Sequence, residues 1–147
     1  MSFVFDMKLF HIIFGLAVFM VFLLTGQYMD RHFHHLVGMP DGPRLLYRTR
    51  HIFILSSGLL HVGIGAYLVQ RPERWRRILQ LLGSIFITLA SLLLILAFFY
   101  DTTRGDLRAP LSHWGIYAIA VGTLFHLLSS VRKKARLDFV RGKRLGE

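Results

Sequence analysis

Four long apolar stretches dominate this chain of 147 residues, and none of them contains Asp, Glu, Lys or Arg. They cover residues 9–29, 52–69, 78–100 and 111–131. The third has 23 residues, and as an α-helix it would extend roughly 34 Å, enough to cross a hydrocarbon core of about 30 Å. Hydrophobic residues form 54% of the chain, more than one soluble core of this size holds. The sequence therefore predicts an all-α integral membrane protein.

The predicted architecture is an antiparallel bundle of four transmembrane helices in a single domain. We expect the helices at about 9–29, 51–70, 78–100 and 111–131, followed by a basic tail over 132–147. The segment 38–43, Gly-Met-Pro-Asp-Gly-Pro, is expected to keep the loop over residues 30–50 free of helix. The acidic residues are expected to lie in loops and termini, since the apolar stretches contain none.

The net charge of +10 follows the pattern of a membrane protein. If four helices alternate in direction, Lys8, the segment 71–77 and the tail lie on one side, with 12 of the 18 Lys and Arg residues. This bias predicts that both termini are cytoplasmic. The basic tail is then expected to contact lipid headgroups rather than nucleic acid, because no recognisable nucleic-acid module accompanies it.

The residues that several classes of function require are absent from this sequence. Cysteine is absent, which excludes disulfides, covalently attached c-type haem, iron–sulfur clusters and thiol catalysis. The chain contains no nucleophile motif, phosphate-binding loop or paired carboxylates. We therefore expect neither a hydrolase nor a transferase.

Histidine is the one ionisable residue type that recurs within the apolar stretches. An imidazole in hydrocarbon needs a partner, and a haem iron or metal ion is a partner that several histidines can share. In the predicted topology, two of these residues lie near the cytoplasmic face and two near the outer face. The inner pair is His11 and His126, and the outer pair is His51 and His113.

The fourth-helix pair is imperfect, because 13 residues turn His126 by roughly 220° from His113 on a regular helix. His61, in the middle of the second stretch, is therefore an alternative ligand. Glycines lie close to the helical faces of His11, His51 and His126. They are compatible with a flat porphyrin surface and equally with close helix packing.

Short motifs around these histidines resemble the bacterial cytochrome b561 family over three of the four helices. They are Leu9-Phe10-His11, Thr25-Gly26-Gln27-Tyr28-Met29, Leu46-Tyr47-Arg48-Thr49-Arg50-His51-Ile52, Ser112-His113 and Phe125-His126-Leu127. The resemblance implies two b-type haems, the inner one bound by His11 with His126 and the outer one by His51 with His113. It also implies electron transfer between a quinol and a redox partner. The fourth-helix histidines stand one residue closer together than is typical of that family.

Other functions stay open at this point. His32, His34 and His35 lie within four residues and could bind Cu or Zn, or form a solvated loop at the headgroups. The whole chain could instead be a cofactor-free accessory subunit of a membrane complex or a homo-oligomer, with its histidines as hydrogen-bond donors between helices. A metal or proton transporter is a third possibility.

Overall fold

The computed structural model describes residues 6–103 and 108–131, and the secondary structure in these two parts is entirely helical. Helix α1 covers Met7–Phe33, α2 Asp41–Tyr67, α3 Arg74–Thr103 and α4 Pro110–Ser130, with a short 3₁₀ turn at His34–Leu36. The prediction of an all-α fold is confirmed for these residues. The predicted basic tail over 132–147 lies outside them.

Among the described residues, three helical segments are long and apolar enough to cross a membrane: Met7–Leu36, Arg74–Thr102 and Pro110–Ser130. Many of their large apolar side chains point outward and are exposed, as expected where lipid replaces water. Examples are Leu9, Leu16 and Leu24 on α1 and Leu124 and Leu127 on α4. Helix α2 does not reach the same apolarity, because polar residues and two histidines interrupt it.

The expectation of a helix-free loop over residues 30–50 is wrong. Helix α1 continues to Phe33, and α2 begins at Asp41, ten residues earlier than predicted. Pro43 does not prevent this, because it lies in the first turn, where a backbone N–H has no partner within the helix. Only the short connection around Gly38, which has a φ of +78°, separates the two helices.

The four helices form two hairpins, α1 with α2 and α3 with α4, which pack together through α2 and α3. Glycines make both hairpins tight. A Cβ on Gly65 would lie 2.9 Å from the Lys8 carbonyl oxygen on α1, and one on Gly122 would lie 2.8 Å from the Gly83 oxygen on α3. Gly15, Gly58 and Gly115 are similarly enclosed by the neighbouring helix. These glycines therefore serve close helix packing, the second of the two interpretations above.

Candidate functional site

Three histidines from three helices meet a serine from the fourth inside the bundle. This histidine cluster consists of His11 on α1, His61 on α2, Ser84 on α3 and His126 on α4. His11 and His61 are completely buried, and their Nδ1 atoms are 2.7 Å apart. The Nε2 atoms of His11 and His126 converge on Ser84 Oγ, at 2.8 Å and 3.4 Å. One hydrogen-bonded network thus connects all four helices.

The hydrogen bonds of Ser84 favour one set of tautomers in this cluster. When its hydroxyl donates to the Gln80 carbonyl oxygen at 2.8 Å, Ser84 Oγ accepts from His11 Nε2–H. His11 Nδ1 is then unprotonated and accepts from His61 Nδ1–H. In this set, the buried Nε2 of His61, which has no side-chain or backbone hydrogen bond at normal distance, carries a lone pair. The Ile87 backbone beside His61 accepts hydrogen bonds, so it would stabilise the opposite tautomer, with the hydrogen on Nε2.

The hydrogen bonds of His51, ten residues before His61 on α2, favour the same tautomer. Thr25 Oγ1 donates to backbone carbonyl oxygens of its own helix at 2.9 and 3.0 Å, so it accepts from His51 Nδ1–H at 3.0 Å. The imidazole stacks on Phe22, with ring centroids 4.1 Å apart. A Cβ on Gly26 would lie 3.5 Å from His51 Nε2, so this glycine leaves room for the ring. His51 therefore also presents an unprotonated Nε2.

The structure brings together some of the predicted ligands and separates others. His11 and His126 are close, with ring centroids 6.1 Å apart, and His61 joins them. His113 is exposed on α4, and no ring contact or hydrogen bond connects its side chain to His51 in the described part of the chain. This separation agrees with the opposite orientation of His113 and His126 on a regular helix.

The three neighbouring histidines His32, His34 and His35 do not converge. His32 stacks on Tyr28, with ring centroids 4.5 Å apart, while His35 pairs with Asp30 at 2.8 Å. His34 ends α1 in a left-handed conformation with a φ of +44°. Among the residues that the structure describes, no group of three or more His, Asp or Glu side chains is placed to hold a metal ion.

Two polar contacts were not predicted from the sequence. Ser84 lies within an apolar stretch, and its intrahelical acceptor is the backbone carbonyl oxygen of Gln80, which any residue at that position would supply, so no sequence signal identified it. Asp101, expected in a loop, is buried in the last turn of α3, 3% exposed. It accepts from the Ser112 backbone N–H at 3.0 Å and hydroxyl at 2.9 Å. The charge of the Asp101 carboxylate also acts on the buried Arg50 of α2. Asp101 on α3 therefore interacts with both α2 and α4.

A groove of about 440 Å³ runs between α2 and α4 and reaches the cluster, because His126 forms part of its wall. No protein-family model, curated protein or solved structure matches this chain. The function is therefore argued from the histidines themselves.

Proposed function

We propose that this protein carries electrons in a bacterial inner membrane through b-type haem bound by its intramembrane histidines. The observation that supports this most directly is His61 Nε2, which is buried without a hydrogen-bond partner. A metal-ligating histidine typically donates one ring N–H to an acceptor and presents its other nitrogen to the metal. His61 has this form in the tautomer that donates its Nδ1–H to His11.

The donor set fits haem iron in its chemistry. His61 and His51 lie ten residues apart on α2, and each would present Nε2 in the tautomer described above. His126 is a further imidazole of the inner site, whereas both nitrogens of His11 are engaged with His61 and Ser84, so His11 would bind iron only after releasing one of them. His113, being exposed, fits less well than His61. The glycines beside His11, His51 and His126 are enclosed by helix contacts and have no part in this proposal. Bound haem would supply one-electron chemistry, with a quinol and a redox partner as electron donor and acceptor.

The proposed membrane arrangement completes this function. Helix α2 packs against α1 and α3, which are both apolar enough to cross a membrane, so we infer that it crosses as well. Four crossings place both termini on one side, and the distribution of Lys and Arg favours the cytoplasm. The two α2 histidines would then lie at different depths, about 15 Å apart along the helix.

The test is the dithionite-reduced absorption spectrum of the purified full-length protein. We expect a red protein with a b-type spectrum. His61→Ala and His51→Ala should each lower the haem content by about half, whereas His113→Ala and His32→Ala serve as exposed controls and should retain it. A colourless, folded preparation from haem-sufficient cells would contradict the proposal, as would full haem content in both α2 variants.

A second function is favoured by the direct contact of His11 with His61. Imidazoles that bind each other and Ser84 need no metal to be stable in hydrocarbon. In this case the chain is a cofactor-free accessory subunit, and its histidines hold the two hairpins together. This second function predicts a colourless protein, in which His11→Asn and His126→Gln keep the fold better than the corresponding Leu variants.

A further inference from the structure

We propose that the groove between α2 and α4 binds an anionic phospholipid, with one acyl chain between the two helices and the phosphate at Arg71. This site does not require a cofactor, and it shares only His126 with the histidine cluster.

The shape of the groove suits an acyl chain. On α2 its wall runs from Leu59 to Tyr67, about 12 Å along the helix, and one leaflet of the hydrocarbon core is about 15 Å deep. Its surface is mostly apolar, with Leu60, Ile64 and Leu127 among the lining residues. Gly63 also lines the groove, and a Cβ there would meet nothing within 4 Å. Thus the two helices leave open space here, unlike at the enclosed glycines of the hairpins.

The positive charge of Arg71 at the mouth of the groove favours an anionic headgroup. Arg71 lines this groove and also a second cavity of about 420 Å³, which Arg77 and Gln80 share. Its Nε is buried without a hydrogen bond, and it forms no ion pair with a described residue. None of the described residues lining either cavity is Asp or Glu. A guanidinium in this setting is a suitable partner for phosphate.

The position of Arg71 favours a lipid over a free anion. It lies in the turn between α2 and α3, four residues after the end of α2, and in the proposed membrane arrangement this turn is at the level where headgroups meet the hydrocarbon core. Basic pockets between transmembrane helices on the cytoplasmic side are typical sites for acidic lipid headgroups. The apolar groove begins at the same arginine, so one molecule with a phosphate and a hydrocarbon chain can satisfy both surfaces.

The experiment is native mass spectrometry of the detergent-purified full-length protein with added phosphatidylglycerol or phosphatidylcholine. The wild-type protein should retain phosphatidylglycerol preferentially. Arg71→Gln should weaken that binding about five-fold, the effect of roughly one basic residue at a headgroup. Arg74→Gln removes the same charge three residues away, outside both cavities, and should bind like the wild type.

A second variant tests the chain separately from the headgroup. Gly63→Leu should fill the groove and lower the binding of phosphatidylglycerol while the thermal unfolding temperature stays unchanged, because the new side chain enters open space. Equal retention of both lipids, equal behaviour of the two arginine variants, or undiminished binding in Gly63→Leu would each overturn the proposal. Displacement of the lipid by millimolar inorganic phosphate would also overturn it, since the ligand would then be the free anion.

Discussion

At the scale of single residues, Ser84 organises the histidine cluster. When its hydroxyl donates to Gln80, Ser84 favours the Nε2–H tautomer of His11, and through it the Nδ1–H tautomer of His61. The same oxygen lies within 3.4 Å of His126. A small polar side chain thus influences which imidazole nitrogen is left for a ligand.

Ser84→Ala should destabilise the protein by about 1 kcal/mol, the typical size of an interhelical hydrogen bond within a membrane protein. His11 Nε2–H would lose its acceptor in an apolar interior. The measurement is thermal unfolding in detergent, with the exposed Ser56→Ala on α2 as the control. Equal unfolding temperatures for the two variants would show that the network contributes little to stability.

At the scale of helices, the glycine positions distinguish contact surfaces from open ones. Gly63 and Gly65 are two residues apart on α2, yet they face different surroundings. Gly65 lies against the backbone of α1, whereas Gly63 lines the groove towards α4. Alanine substitutions at these two glycines therefore test how closely α1 packs against α2.

Gly65→Ala should destabilise the protein by about 1–3 kcal/mol, because its Cβ would lie 2.9 Å from backbone atoms of Lys8 and Ile12 and backbone cannot easily retreat. Gly63→Ala should leave stability unchanged or raise it by up to about 1 kcal/mol, since alanine favours helix. Both values come from unfolding in detergent. A tolerated Gly65→Ala would mean that α1 and α2 are further apart than described.

At the scale of the whole molecule, the two hairpins place the basic segment 71–77 at the same end as the start of α1. Reporter fusions at residues 40, 73, 105 and 147 test the proposed topology. We expect cytoplasmic signals at 73 and 147 and external signals at 40 and 105, because basic segments resist translocation. Changing Arg74, Arg76 and Arg77 together to Glu should weaken this bias, and a cytoplasmic signal at 40 would reverse the topology.

The all-α class and the approximate positions of the four described helices could be predicted from the sequence, because apolar run length and charge placement are local properties. The ends of the helices were harder to predict from the sequence. Pro43 was expected to interrupt a helix, but a proline in the first turn of a helix costs no hydrogen bond. The sequence also indicated that His11 and His126 lie at a similar depth, and that His113 faces away from His126.

The tertiary structure alone decided which side chains meet. Spacing along one helix gives a depth and an angle on that helix, but neighbours across helices depend on how the helices pack. The close glycine contacts pair α1 with α2 and α3 with α4, and this pairing brings His61 to His11 and Ser84 to both His11 and His126. The unpaired Nε2 of His61 arises from that arrangement, because the hydrogen bonds around it join residues that are far apart in the sequence: His11 and His61 are separated by 50 positions, and His11 and Ser84 by 73.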